Sequence, residues 1–301
     1  FRDMIGQPVN DNIRNLVNKY GISTDWRDEL IKNSAPTSDI NATLQGGGQT
    51  MNYFVSFNHH QEDGLIEASN MRRSTLAARL NSRLNKFFKV GFSSNFGVQD
   101  YSQNSQWADN SQIYAANPLV AAKMALPYDA PYYYSFDEAG NLVKGDRAAG
   151  LLYSQFLLPW FTVANTNQDR KNVTLNLSLN EQFTPVEGLT FTALQSMFGY
   201  DLTSDRASLP YDQFTTPMGQ AIDAHTGGVS ANFSRSYAYT FTHTAEFRHN
   251  FGPHYVNLLL GEETRIQKGR GFGITSTGQT DVRRMLLNTA TTITPSAQTD
   301  S

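Results

Sequence analysis

Asn172-Val173-Thr174-Leu175-Asn176-Leu177-Ser178-Leu179-Asn180 alternates without exception, with an amide or hydroxyl at every even position and an aliphatic side chain at every odd one. A period of two is the signature of an extended strand whose two faces meet different surroundings. The same rhythm runs through Phe88–Val98, where Phe88, Val90, Phe92, Phe96 and Val98 share one parity. It recurs in Tyr53, Val55 and Phe57, in Leu76, Ala78, Leu80 and Leu84, and in Tyr237, Tyr239, Phe241, Ala245 and Phe247, with His243 as an interruption. Stretches 39–46, 188–203 and 254–269 are less regular strands. Eight strands are therefore expected, and the class is all-β.

The connections alternate in kind along the chain. Gly46-Gly47-Gly48-Gln49, Asn85-Lys86-Phe87, Thr184-Pro185-Val186-Glu187 and Phe251-Gly252-Pro253 are short and carry hairpin-turn chemistry. The others, near 61–70, 102–170, 204–234 and 270–301, are long loops. Short turns at one end and long loops at the other describe an antiparallel transmembrane β-barrel, with periplasmic turns and extracellular loops. A soluble antiparallel sandwich shares the hairpins and the alternation, so it is the competing architecture. Strands of ten residues or more favour the tilted membrane span.

Composition narrows the choice. The 301 residues carry 24 Lys and Arg against 27 Asp and Glu, a net charge of −3, so no basic field is present to draw nucleic acid. No Cys is present, which removes disulfides, thiolate metal sites and Cys nucleophiles. No apolar run approaches the roughly 18 residues of a helical span. A mean hydropathy of −0.45 remains compatible with a barrel, whose alternating strands average to mild hydrophilicity.

Ahead of the first strand, 10–21 has the apolar spacing of a short helix stopped by Gly21, and residues 1–38 form a linker into the barrel at 39–301. Pro118–Leu126 also has a helical pattern, inside the longest loop.

Tyr20–Leu30, Asn41–Gly47 and Thr50–Ser56 together resemble the barrel portion of SusC/RagA-type TonB-dependent transporters. Gln61–Ile66, Arg72–Thr75, Ala78–Asn81, Asn117-Pro118-Leu119 and Gly140-Asn141-Leu142 continue the likeness in order. The resemblance implies a nutrient importer in the bacterial outer membrane of Bacteroidota. It would move oligosaccharides or oligopeptides with energy from TonB–ExbB–ExbD, and would be paired with a SusD/RagB-like surface lipoprotein. Such barrels have about 22 strands around an internal plug. Eight strands without a plug-like segment are expected to be part of a longer chain, whose TonB contacts lie elsewhere. A secreted carbohydrate-binding or hydrolytic β-domain and a passive small porin or adhesin barrel are the alternatives.

Candidate functional residues fall into two sets. Trp107, Tyr132, Tyr133, Tyr134 and Trp160 in the long loop, near Phe136, Phe161, Asp129, Asp137 and Asn141, offer aromatic faces with adjacent polar groups that suit substrate rings. Arg79, Arg83, Glu246 and Arg248 fall on polar strand faces and are candidate lumen or plug-facing charges, while the apolar face of Val173, Leu175, Leu177 and Leu179 is expected to meet membrane lipid. Tyr237 and Tyr239 read as membrane-girdle residues. No enzymatic constellation emerges: His59-His60 and Glu262-Glu263 are adjacent pairs, which a strand sends to opposite faces. No metal ligand set, catalytic residue or cofactor is expected.

Overall fold

The computed structural model describes residues 17–66, 69–103, 123, 125, 127, 131–147, 166–215 and 221–300. Nine strands form one antiparallel sheet in the order β1(Thr37–Gly47), β2(Met51–Asp63), β3(Asn70–Arg83), β4(Phe88–Gln103), β7(Thr166–Val186), β8(Leu189–Ser208), β11(Gly227–Phe251), β12(His254–Gln279) and β13(Thr292–Asp300). Two small hairpins stand apart in the loops, β5(Tyr132–Phe136) with β6(Leu142–Arg147), and β9(Phe214–Thr215) with β10(Ala221–Ile222). Each strand of the sheet pairs with its neighbour in the chain, a meander with no crossover.

Three expectations change. The sheet has nine strands, because β13 occupies part of the stretch expected as the loop 270–301. The long loops are shorter than their expected bounds of 102–170, 204–234 and 270–301, since β7 begins at Thr166, β11 at Gly227 and β12 runs on to Gln279. The β7 extension, Thr166–Lys171, is polar on both faces and carries no alternation, whereas those of β11 and β12 place Val229, Ala231, Phe233, Phe272 and Ile274 on the outward parity, a short alternation that the expected loop bounds passed over. Thr184-Pro185-Val186 is not a turn: it finishes β7 through a register shift between Phe183 and Val186, where proline's missing N–H is tolerated. The turn is Glu187-Gly188, with Gly188 at φ 83.

Register assigns every side chain to a face. On one face lie Leu44, Val55, Phe57, Leu76, Phe92, Phe96, Leu175, Leu177, Leu179, Met197, Phe241, Leu258 and Leu260, neighbours from strand to strand. This face is uncovered, with Leu44 62% exposed, Phe96 41% and Leu260 64%. The buried apolar residues are instead few, and Trp26, Leu30 and Ile66 among them belong to the loop end. A sandwich would hide such a face under a second layer; a membrane wall presents it to lipid.

The stagger of the strands gives their tilt. A row of directly opposed residues starts at Met51, the first of β2, and passes through Ser82, Val90, Glu181, Ala193 and His243 to Glu262. Glu262 stands eight residues above His254, the first of β12, after six strand-to-strand steps. With a rise of about 3.3 Å per residue and about 4.8 Å between strands, that stagger corresponds to a tilt of roughly 40°, the range of transmembrane barrels.

The sheet also curls. Phe54 on β2 and Arg265 on β12, six strands apart, line one hollow together with residues from every strand between them. A flat sheet would hold them almost 30 Å apart. The hollow lies on the polar face, which is therefore concave, and the apolar face is convex.

Residues 17–20 are helical and end at Gly21, whose φ of 66 and bond to the Val17 carbonyl at 3.0 Å complete the stop expected there. Helix α1(Trp26–Leu30) follows, capped by the Asp25 carboxylate accepting from the Arg27 amide at 2.9 Å. The linker expected at 1–38 packs, in its described part, against the loops: Lys32 donates to the Leu65 carbonyl, and Ile31 bridges Ile66 beside buried Leu30. Of Pro118–Leu126, only residues 123 and 125 are described.

Candidate functional site

The concave wall is lined by amides, hydroxyls and charges. Asn81 donates to Asn52 at 3.0 Å, Asn58 to Asp39 at 2.9 Å, and Thr242 to Glu263 at 3.0 Å. His60 faces inward and reaches Asp39 at 3.1 Å, whereas His59 faces outward and meets Ser74 at 2.9 Å. Glu262 points outward to His243 at 3.1 Å, and Glu263 inward. Both adjacent pairs are thus split by the strand, as expected.

All four expected lumen charges stand on this concave face. Arg79 lines the central hollow of about 460 Å³ with Phe54, Asn95, Asn176, Phe198 and Arg265. Arg83 lines a second hollow of about 560 Å³ at the turn end, with Lys89, Asn52, Asn81 and Gln182. Glu246 and Arg248 are paired to each other, Nε to Oε1 at 2.6 Å. Arg79, Arg83, Lys89 and Arg265 have no carboxylate within ion-pair distance among the described residues.

Sequence reading missed Arg265, because β12 breaks alternation around Gly261 and Gly269. It also missed the balance of the whole face. The register places Arg73, Arg79 and Arg83 of β3, Lys89 of β4, Arg170 of β7, Arg206 of β8, Arg248 of β11 and Arg265 of β12 inward, eight cations. Asp39, Glu62, Glu246 and Glu263 are the four inward carboxylates among the described residues of the sheet. On the convex face five cations (Arg72, Lys171, Arg235, Lys268, Arg270) stand against seven carboxylates (Asp63, Asp100, Asp169, Glu181, Asp201, Asp205, Glu262) among described side chains.

The convex face has its own order. Phe88, Phe183 and Phe191 form a row near the turns, with ring centroids 4.6 and 6.4 Å apart. Tyr237 and Tyr239, expected near a strand end, lie within the 25-residue β11, but at the upper margin of the apolar band. Just above them Arg235 holds Asp201 through two bonds of 2.8 and 2.6 Å. Aromatic rows at both margins with charges beyond them fit membrane interfaces. Within the band, Glu181 and the His243–Glu262 pair are polar interruptions.

The loop tyrosines divide. Tyr132 donates to Glu29 Oε2 at 2.7 Å, lies under Lys144 Nζ at 3.5 Å and meets Tyr134 edge-on at 6.4 Å. Partial burial, with the Glu29 charge adding to it, raises the Tyr134 hydroxyl above its ordinary pKa. Phe136 packs on Tyr20 at 4.8 Å, so the β5–β6 hairpin is clamped to the segment before β1. Tyr133 has the opposite parity on β5 and is 36% exposed. Trp107 and Trp160 lie outside the described residues, as do Asp129 and Phe161. No group of three metal-ligating side chains occurs among the described residues.

No family model matches the chain. TonB-dependent receptor P3 of Formosa agariphila is 24% identical over 247 residues, 79% of this chain and 22% of that receptor. TonB-dependent receptor P26 of the same organism is 22% identical over 84% of this chain and 24% of its own length. TonB-dependent receptor SusC of Bacteroides thetaiotaomicron is 26% identical over 115 residues, 38% of this chain and 10% of SusC. The chain thus spans about a quarter, or less, of the curated relatives it matches. Among solved structures, the RagAB peptide transporter covers 93% of this chain with 30% of its own, at a TM-score of 0.69 and 20% identity. The RagAB importer in its open-open state gives 0.69 at 21% identity. These names are those of receptors and transporters, not of enzymes. In sequence and in fold, the chain is similar to a barrel segment of the SusC/RagA-type TonB-dependent transporters.

Proposed function

We propose that this chain is part of the wall of an outer-membrane importer that takes up oligosaccharides or oligopeptides, with energy from TonB–ExbB–ExbD. The observation that carries the reading is the two-faced curved sheet, whose apolar convex side suits lipid and whose polar concave side suits a lumen. In this reading residues 39–301 are a partial barrel, and the clamped segment 17–36 belongs to its outer surface. A SusD/RagB-like lipoprotein would cover the loop end, and Tyr133, Trp107 and Trp160 would contact solute. Tyr132 and Tyr134 would hold the hairpin that presents Tyr133. Arg79 and Arg83 would face solute or plug, and Glu246 with Arg248 would form a lumen ion pair near the turns. TonB would act through a plug outside this chain.

The test uses cells carrying the complete gene, with uptake of labelled oligosaccharides and oligopeptides measured with and without TonB. Import that disappears both on deletion of the gene and on deletion of TonB is the expected outcome. Uptake indifferent to TonB would make the barrel a passive pore. Recovery of the protein in the soluble fraction would favour a secreted sugar-binding domain.

A further inference from the structure

We infer that the solute carried past this wall is an anionic oligosaccharide, one bearing carboxylate or sulfate groups; the inference rests on the import reading above. The chain as a whole carries a net charge of −3. Among the described residues its concave face carries eight cations against four carboxylates, a surplus of four positive charges. The convex face, with five against seven, has none. The sign is therefore concentrated where a solute passes, and a low-dielectric wall around a narrow space strengthens such a field.

The central hollow supplies the local chemistry. Arg79 and Arg265 reach it from strands at opposite ends of the curl, and neither has a carboxylate partner among the described residues. A guanidinium binds a carboxylate or sulfate through two parallel N–H donors. Asn95, Asn176 and Thr240 stand beside them to meet ring hydroxyls, and Phe54 and Phe198 offer flat apolar faces to sugar C–H groups. The wall thus combines what a charged sugar ring needs. A neutral glycan would make no use of either guanidinium group as a charge.

The test uses the full-length transporter in its native membrane. Four labelled oligomers of equal length are compared: a polyuronate, a neutral glucan, an acidic peptide and a neutral peptide. The wild type is expected to take up the polyuronate in preference to the glucan, and the preference should weaken as ionic strength rises from about 0.02 to about 0.3 M. The double variant Arg79→Gln/Arg265→Gln should lower the polyuronate-to-glucan ratio about tenfold, while Lys268→Gln on the convex face leaves it unchanged. Heat-modifiable gel mobility verifies that each barrel is folded, and the salt series on the wild type stands independently of the variants. A ratio of one in the wild type, or a preference that survives both salt and the double variant, overturns the inference. Preference for the acidic peptide alone also overturns it. If no oligomer enters in a TonB-dependent manner, the import reading itself falls, a result distinct from uptake without charge preference.

Discussion

Leu177 and Asn176 are adjacent on one strand, share the same backbone ladder and have opposite surroundings. Leu177 stands in a band with Met197 and Tyr239 on the convex face; Asn176 lines the central hollow with Arg79 and Arg265. Hydrogen bonding of the strand is common to both faces, so what distinguishes them is solvent alone. In the proposed reading an apolar side chain here contributes by meeting lipid, not by filling a core, and the described sheet has almost no buried apolar side chains of its own. In a water-soluble sheet the same side chains would be an aggregation surface.

The contrast breaks most directly if a charge is placed on each face in turn. Leu177→Arg should cost the complete barrel about 2 to 4 kcal/mol and Asn176→Arg less than about 1 kcal/mol, read from urea unfolding in lipid vesicles. Equal costs would mean that both faces see water. Bulk sharpens the comparison next. A Cβ on Gly199 would meet the Tyr237 ring at 3.1 Å, whereas one on Gly91 would crowd just the Asn81 Oδ1 tip at 2.9 Å and touch Asn180 Cβ at an ordinary 3.7 Å. Gly199→Val is therefore expected to lose about 1 to 3 kcal/mol, because the ring must leave its seat against β8. Gly91→Ala, where an amide tip can swing into the hollow, should stay within about 0.5 kcal/mol in the same measurement.

Rim charges matter less. Removing the partly exposed Arg235–Asp201 pair with Arg235→Ala should cost about 0.2 to 1 kcal/mol, diminishing with added salt. The smallest effect is local. Hydrogen bonds from the Asn141 side chain and amide hold the exposed Asp137 carboxyl below its ordinary pKa. A depressed folded-state pKa means that the turn keeps this support above the ordinary carboxylate value of about 3.9 and loses it in more acid solution. Amide exchange at Gly140 and Asn141, corrected for intrinsic pH dependence, should accelerate below that value and remain flat above it.

The sequence made the lower wall legible because solvent differs between its faces there, and Asn172–Asn180 records that difference residue by residue. Above the band the extension of β7 is polar on both faces and carries no alternation to read, while in β11 and β12 the short alternation of Val229, Ala231 and Phe233 and of Phe272 and Ile274 is set among glycines and ends at Arg235 and Arg270. Thr292–Asp300 has no apolar parity either and contains Pro295, which suits a strand with one paired side shown. Arg79 and Arg83 were legible as inward charges because β3 alternates cleanly. Arg265 was not, since glycines obscure the parity of β12. The bond between Tyr132 and Glu29 joins residues 103 apart in the chain, which no local pattern encodes.

The central claim is that odd residues of Val173–Leu179 face lipid and even ones a wet lumen. These 301 residues contain no Cys, so single cysteines at Leu175, Asn176, Leu177 and Ser178 can be introduced in the complete protein, with any cysteine elsewhere replaced by serine, then spin-labelled and probed in vesicles. Relaxation by oxygen, which partitions into lipid, should dominate at Leu175 and Leu177, and relaxation by a water-soluble nickel chelate at Asn176 and Ser178. Equal or inverted accessibility along these four positions would contradict the two-faced wall on which the account rests.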